Sequence, residues 1–190
     1  MQRRAGTPVD SASGAAVGIS RAHEAVHSGI AFHAFAFDDA LGDAGTVIVA
    51  FKTPAGGKHV HLVMSFGAIV AGNLDLIEGP TWTGETGTGV AISNRRRTGT
   101  PPSSIVLEDV DQAAFTASDQ VIKNPTGLSG GTVIPIGHVF GSKQAGGCVD
   151  RGEDEWELDP DQTYAVRFTA IGAANGGTVF LDWYEATDGL

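Results

Sequence analysis

Apolar and polar residues alternate along much of this chain, and that period-two pattern predicts strands that are half buried. In "KHVHLVMSF" it places Val60, Leu62, Met64 and Phe66 on one face, and His59, His61, Val63 and Ser65 on the other. "TYAVRFTAI" sends Tyr164, Val166, Phe168 and Ala170 inward and Thr163, Arg167 and Thr169 outward. "TVFLDWYE" sets Val179, Leu181 and Trp183 against Phe180, Asp182 and Tyr184. Further strands are expected at 30–37, 45–53, 73–79, 103–109 and 131–140.

Gly, Pro, Asn or Asp punctuates the gaps, as in "DDALGDAG", "TPAGGK", "RTGTPP", "NPTGLSGG" and "LDPDQ". Roughly eight or more short strands with regular turn signals, and no helices between them, predict an all-β fold, an antiparallel jelly-roll β-sandwich. A short helix is expected around "SRAHEAVHS" (20–28). Ahead of it, residues 1–19 are rich in Gly, Ala and Ser and poor in large apolar side chains. The chain therefore divides into an extended N-terminal arm with that helix, 1–28, and a sandwich domain, 29–190.

Composition narrows the function. The chain has 190 residues and a formal net charge of −10, so a phosphate backbone repels it unless its basic residues are concentrated in one place. No nucleic-acid partner is expected. No apolar run approaches the roughly 18 to 20 residues that span a bilayer, and no membrane partner is expected either. The two arginines near the start have no continuous apolar stretch behind them, which is not the pattern of a signal peptide. A single cysteine, Cys148, excludes an intrachain disulfide framework and suits synthesis in a cytoplasm.

Several stretches invite a chemical reading. "GETGTGVA" (84–91) spaces Gly84 and Gly89 like a phosphate-binding loop, but Val90 and Ala91 stand where such a loop needs Lys and Ser/Thr. The imidazoles of His59 and His61, with His138 from "PIGH", suggest a degenerate cupin-like metal enzyme. The Glu which that site requires after its second His is replaced by Ser65 or Phe66. The acidic run "DRGEDEWELDPD" (150–161) matches no EF-hand spacing and reads as a strand with one acidic face. Cys148 has only Arg151 nearby to lower its pKa and reads as an ordinary thiol. No metal, cofactor or catalytic residue is expected. "NRRR" (94–97) differs: three arginines interrupt an acidic, lysine-poor chain, and guanidinium forks pair bidentately with carboxylates.

The order of "HSGIAFHAFAF", "VIVAFKTPAGGKHVHLVMSF", "LIEGPTWTGETGTGVAISNRRR", "GTVIPIGHVFGS", "WELDPDQTYAVRFTAIGAANG" and "VFLDWYEA" resembles the jelly-roll head decoration, or cement, proteins of tailed bacteriophages. The resemblance spans roughly 27–186 and rests on collinear order. The longer arm and the triple arginine depart from the family pattern. What it implies is a non-enzymatic virion protein, made in the host cytoplasm, that binds the outer surface of the icosahedral head. Its implied partners are the major capsid protein, which it would bridge to its neighbours, and a second copy of itself in a homodimer, with a trimer as the alternative. Arg3, Arg4, Arg95, Arg96 and Arg97 are the candidate capsid contacts. The rival reading is a carbohydrate- or receptor-binding module of the head-fibre type, for which Trp82 is the candidate glycan contact.

Overall fold

The computed structural model describes residues 21–83, 86–100, 102–106, 121–140 and 155–187. The expected arm (1–19), with Arg3 and Arg4, and Cys148 lie outside the described residues. Two antiparallel sheets pack face to face into a β-sandwich. One sheet runs in the order β6 (Ser93–Asn94), β1 (Ala31–Leu41), β11 (Asn175–Ala186), β3 (His59–Ala68), β9 (Trp156–Leu158). The other runs β5 (Thr88–Val90), β7 (Val121–Lys123), β2 (Thr46–Lys52), β10 (Thr163–Ile171), β4 (Ala71–Glu78), β8 (Thr132–Val139).

The pairing is nested. β1 pairs with β11, β2 with β10, β3 with β9 and β4 with β8, all antiparallel. Successive pairs alternate between the two sheets. A single long hairpin wrapped across two layers produces this order. The short strands β5, β6 and β7 fall within the connection from β4 to β8.

The alternation read from the sequence sets the core. Leu62, Met64, Val166, Phe168, Leu181 and Trp183 are all buried between the sheets. At the centre the Phe168 ring lies against backbone from both layers. A Cβ on Gly72 or on Gly177 would sit 2.2 Å from that ring. Glycine is required there by close approach, because a Cβ at either position would overlap the ring in a dense interior.

Outer faces are covered unevenly. Ala50 and Ala165, on the solvent side of the second sheet, leave a dent that Trp82 fills together with Ile77 and Leu128. On the first sheet the helix α1 (Arg21–Ser28) lays Ala25 over Ala31, Tyr184 and Ala186. That helix ends in a Schellman turn at Gly29 (φ 75°), where the Ile30 N–H donates to the Ala25 carbonyl at 3.0 Å.

One expected strand does not appear among the described residues. Residues 103–106 of the expected 103–109 strand are irregular, and 107–109 lie outside the described residues. The reason is that the Ile105 N–H donates to the Glu185 side chain, at 3.0 Å, instead of to a neighbouring strand.

A methyl group at Gly177 should therefore act on Phe168. Gly177→Ala is expected to lower stability by about 1–3 kcal/mol, the usual cost of overpacking, in urea unfolding. Combining it with Phe168→Leu should cost less than the sum of the two single changes. Unchanged stability of Gly177→Ala would contradict the packing described.

Candidate functional site

The three arginines of "NRRR" leave β6 at the edge of the first sheet, and Asn94 fixes how they leave. Its Nδ2 donates to the Gly29 carbonyl (2.7 Å) and to the Pro102 carbonyl (3.1 Å), and its Oδ1 accepts the Arg96 N–H (2.9 Å). The Arg95 N–H donates to the Ala31 carbonyl at 2.8 Å. An Asx turn of this kind holds its backbone with one short side chain. Sequence reading passed over Asn94, although Asn before a charged run is a recognisable turn signal.

The guanidinium groups separate as they leave the turn. Arg95 leans over the sheet, with Nη1 3.6 Å from Asp182 Oδ1, which also lies 3.3 Å from His33 Nδ1. Arg96 runs along the Gly29 backbone, where an added Cβ would be 3.2 Å from its Cδ, and stays exposed. Arg97 is exposed as well. Together with His33, Ser93, Asn94 and Asp182, Arg95 and Arg97 line an open cleft of about 520 Å³.

Glu185 anchors the far end of the arginine loop. It is a buried carboxylate on β11, and one oxygen, Oε1, accepts three hydrogen bonds. They come from the Ser104 hydroxyl (2.6 Å), the Ile105 N–H (3.0 Å) and the Trp183 indole N–H (3.1 Å). Burial raises its pKa above the ordinary carboxyl value, against the lowering effect of those donors and of the Lys58 charge. So Asn94 holds one end of the 94–106 loop and Glu185 the other.

The remaining candidates fall elsewhere. Trp82 does not offer its ring to solvent: it is 5% exposed, sunk against Ala50 and Ala165. Its loop is held down by the paired backbones of Thr81 and Ser129 and by the Thr83 N–H donating to the Thr126 carbonyl. The sequence pattern could not reveal this, because the dent that receives the indole comes from alanines distant in the chain. His59 and His61 lie on the outer side of β3, and His138 lies on β8 in the other sheet. His59 Nδ1 is 3.3 Å from Glu157, and His138 Nδ1 is 2.6 Å from Asn73 Oδ1. His61 stacks on Tyr184 with ring centroids 4.5 Å apart. The cupin-like trio is thus divided between two sheets. Among the described residues no three His, Cys, Asp or Glu side chains gather as a metal site. Thr88 and Gly89 of "GETGTG" already lie in the strand β5, not before a helix whose N-terminus could face a phosphate.

No family model, no curated protein and no solved structure matches this chain. Its function has to be argued from the site itself.

The raised pKa of Glu185 carries a pH signature. Its folded-state value lies above its unfolded one, so the native state holds this proton more tightly. The contribution to stability is greatest below the unfolded value and falls as pH rises through the folded value. The stability of the wild type relative to Glu185→Gln should therefore increase on acidification through that window, measured by denaturant unfolding at several pH values. Glu185→Ala, which strands three donors, should cost about 1–3 kcal/mol. An advantage of the wild type that grows toward alkaline pH would refute the assignment.

Proposed function

We propose that this protein is a decoration, or cement, protein of a tailed-bacteriophage head. In this reading it sits on the outer surface of the virion shell, bridges neighbouring major capsid proteins and acts by binding rather than catalysis. The observation that carries the reading is the arginine loop. On a chain of net charge −10, Arg96 and Arg97 are exposed from a turn braced at both ends, beside a cleft at a sheet edge. Such a loop is suited to a carboxylate-rich protein surface that the rest of the molecule would repel. The nested strand pairs support the jelly-roll part of the reading, since they follow the order of one hairpin wrapped over two sheets. The collinear resemblance over 27–186 supports the capsid part.

In the same reading, copies of the protein pair on the shell, and the arm (1–19), with Arg3 and Arg4, adds contact area on a neighbouring subunit. The glycan-binding alternative rested on Trp82, whose ring is covered, and we do not adopt it.

The test is the occupancy of empty expanded heads across a salt titration. Arg96→Ala combined with Arg97→Ala should lower occupancy and its resistance to salt while leaving the melting transition in place. The loss should be about 2 kcal/mol or more if a guanidinium is desolvated at the centre of the contact, and below about 1 kcal/mol if both stay at its rim. Arg95→Ala should weaken attachment less, because Arg95 faces Asp182 within its own chain. Unchanged occupancy of the double variant at every salt concentration would overturn the assignment.

A further inference from the structure

The middle of strand β1, 34–37, has its large and small side chains reversed. Ala34 and Ala36 point into the core, while Phe35 and Phe37 point outward and are 49% and 54% exposed. Phe180 of β11 faces the same way, opposite Phe35 in the ladder. Its ring centroid is 6.0 Å from that of Phe35, and the Phe37 ring is 6.4 Å from Phe35 on the other side. Farther along the same face Ile69 is 57% exposed, its Cδ1 over Gly176 beside the Asp39 backbone. The other outward apolar clusters have covers: Trp82 and Leu128 on the second sheet, α1 at the far end of this one. Among the described residues nothing covers the phenylalanines. A contiguous exposed apolar patch of this kind marks an interaction surface.

Charge distribution indicates what the patch receives. The outward row of β1 reads His33, Phe35, Phe37, Asp39, about 20 Å from first to last at the usual strand rise. Among the described residues, the His33 end carries Arg95 and Arg97 beside the carboxylate of Asp182. The Asp39 end carries the exposed carboxylate of Asp39, while Asp38, of the inward parity, is met by Lys123 of the other sheet at 3.9 Å. The face is therefore apolar in the middle, cationic at one end and anionic at the other. Turning a copy by 180° about an axis through the phenylalanines lays each end on its opposite and each ring cluster on the other. That is the self-complementarity an isologous two-fold contact needs.

We infer that the outer face of the first sheet, centred on Phe35, Phe37 and Phe180, is the contact with a second copy of this chain. The cationic end of each copy lies toward Asp39 of the other. The inference rests on the pairing of copies in the capsid reading and assigns the surface that forms it, but it is tested without capsids. The face is small, so the contact belongs at the low end of specific interface sizes and should be reversible.

Sedimentation velocity of the full chain over a wide concentration range should show a monomer–dimer equilibrium. Phe35→Ser and Phe180→Ser, both on the outer face, should each raise the dissociation constant about tenfold or more with an unchanged far-UV circular dichroism spectrum. Asp39→Arg, which sets like charge against the cationic end of the other copy, should weaken the dimer. A chain monomeric at its highest soluble concentration would overturn the proposal. So would a dimer indifferent to Phe35 and Phe180, or one abolished by deleting residues 1–19, which would make the arm the occupant. Loss of head occupancy in Phe35→Ser from a monomeric wild type would assign the face to the shell instead. Failure of heads to bind a chain that still dimerises would count against the capsid reading alone.

Discussion

The close approach of the two sheets at Phe168 is the constraint on which the rest of the molecule depends. Its ring occupies space that a Cβ on Gly72 or Gly177 would claim, so both layers meet it with bare backbone. Once the inner faces are closed this tightly, side chains of the opposite parity on every strand are committed to the outside. Each outer face then needs a cover, a charged coat or a partner. The second sheet has Trp82 in its alanine dent. The first has α1 over one end and, among the described residues, leaves aromatic rings uncovered at the other. Surface chemistry in this protein follows from core geometry.

The same logic explains the position of the arginine loop. β6 adds only two residues to the edge of β1. The chain must therefore turn away immediately, and it does so under the control of Asn94. Glu185 gathers the returning segment at 104–106. A buried carboxylate is an expensive anchor, because the charged form loses hydration. Three donors on one oxygen offset that loss and make the anchor specific. Arg96 and Arg97 are thus carried on a braced loop, and less conformational freedom is lost when they meet a partner.

Much of the fold was legible in the sequence because alternation is a local signal. The inward sets of β3, β10 and β11 followed directly from period two, and the short helix expected around 20–28 appears at Arg21–Ser28. What escaped was decided by contacts between distant residues. The segment expected as a strand at 103–109 has a strand-like composition, yet Glu185, about eighty residues away, takes up the backbone of Ile105. Trp82 looked like a surface aromatic because nothing near it in sequence announces Ala50 and Ala165. The arginine triplet stood out from charge alone, while its supports, Asn94 and Glu185, became visible only in three dimensions. The reversal of Ala and Phe along "AFHAFAF" was present in the sequence, but its meaning needed the knowledge of which side faced the core.

A cryo-EM map of the virion that carries this protein would test the capsid account most directly. The account predicts the sandwich as added density on the outside of the icosahedral shell, with the 94–97 loop turned toward an acidic surface spanning two capsid subunits. Absence of the protein from the particle, or density at a tail or fibre tip with that loop facing solvent, would contradict it.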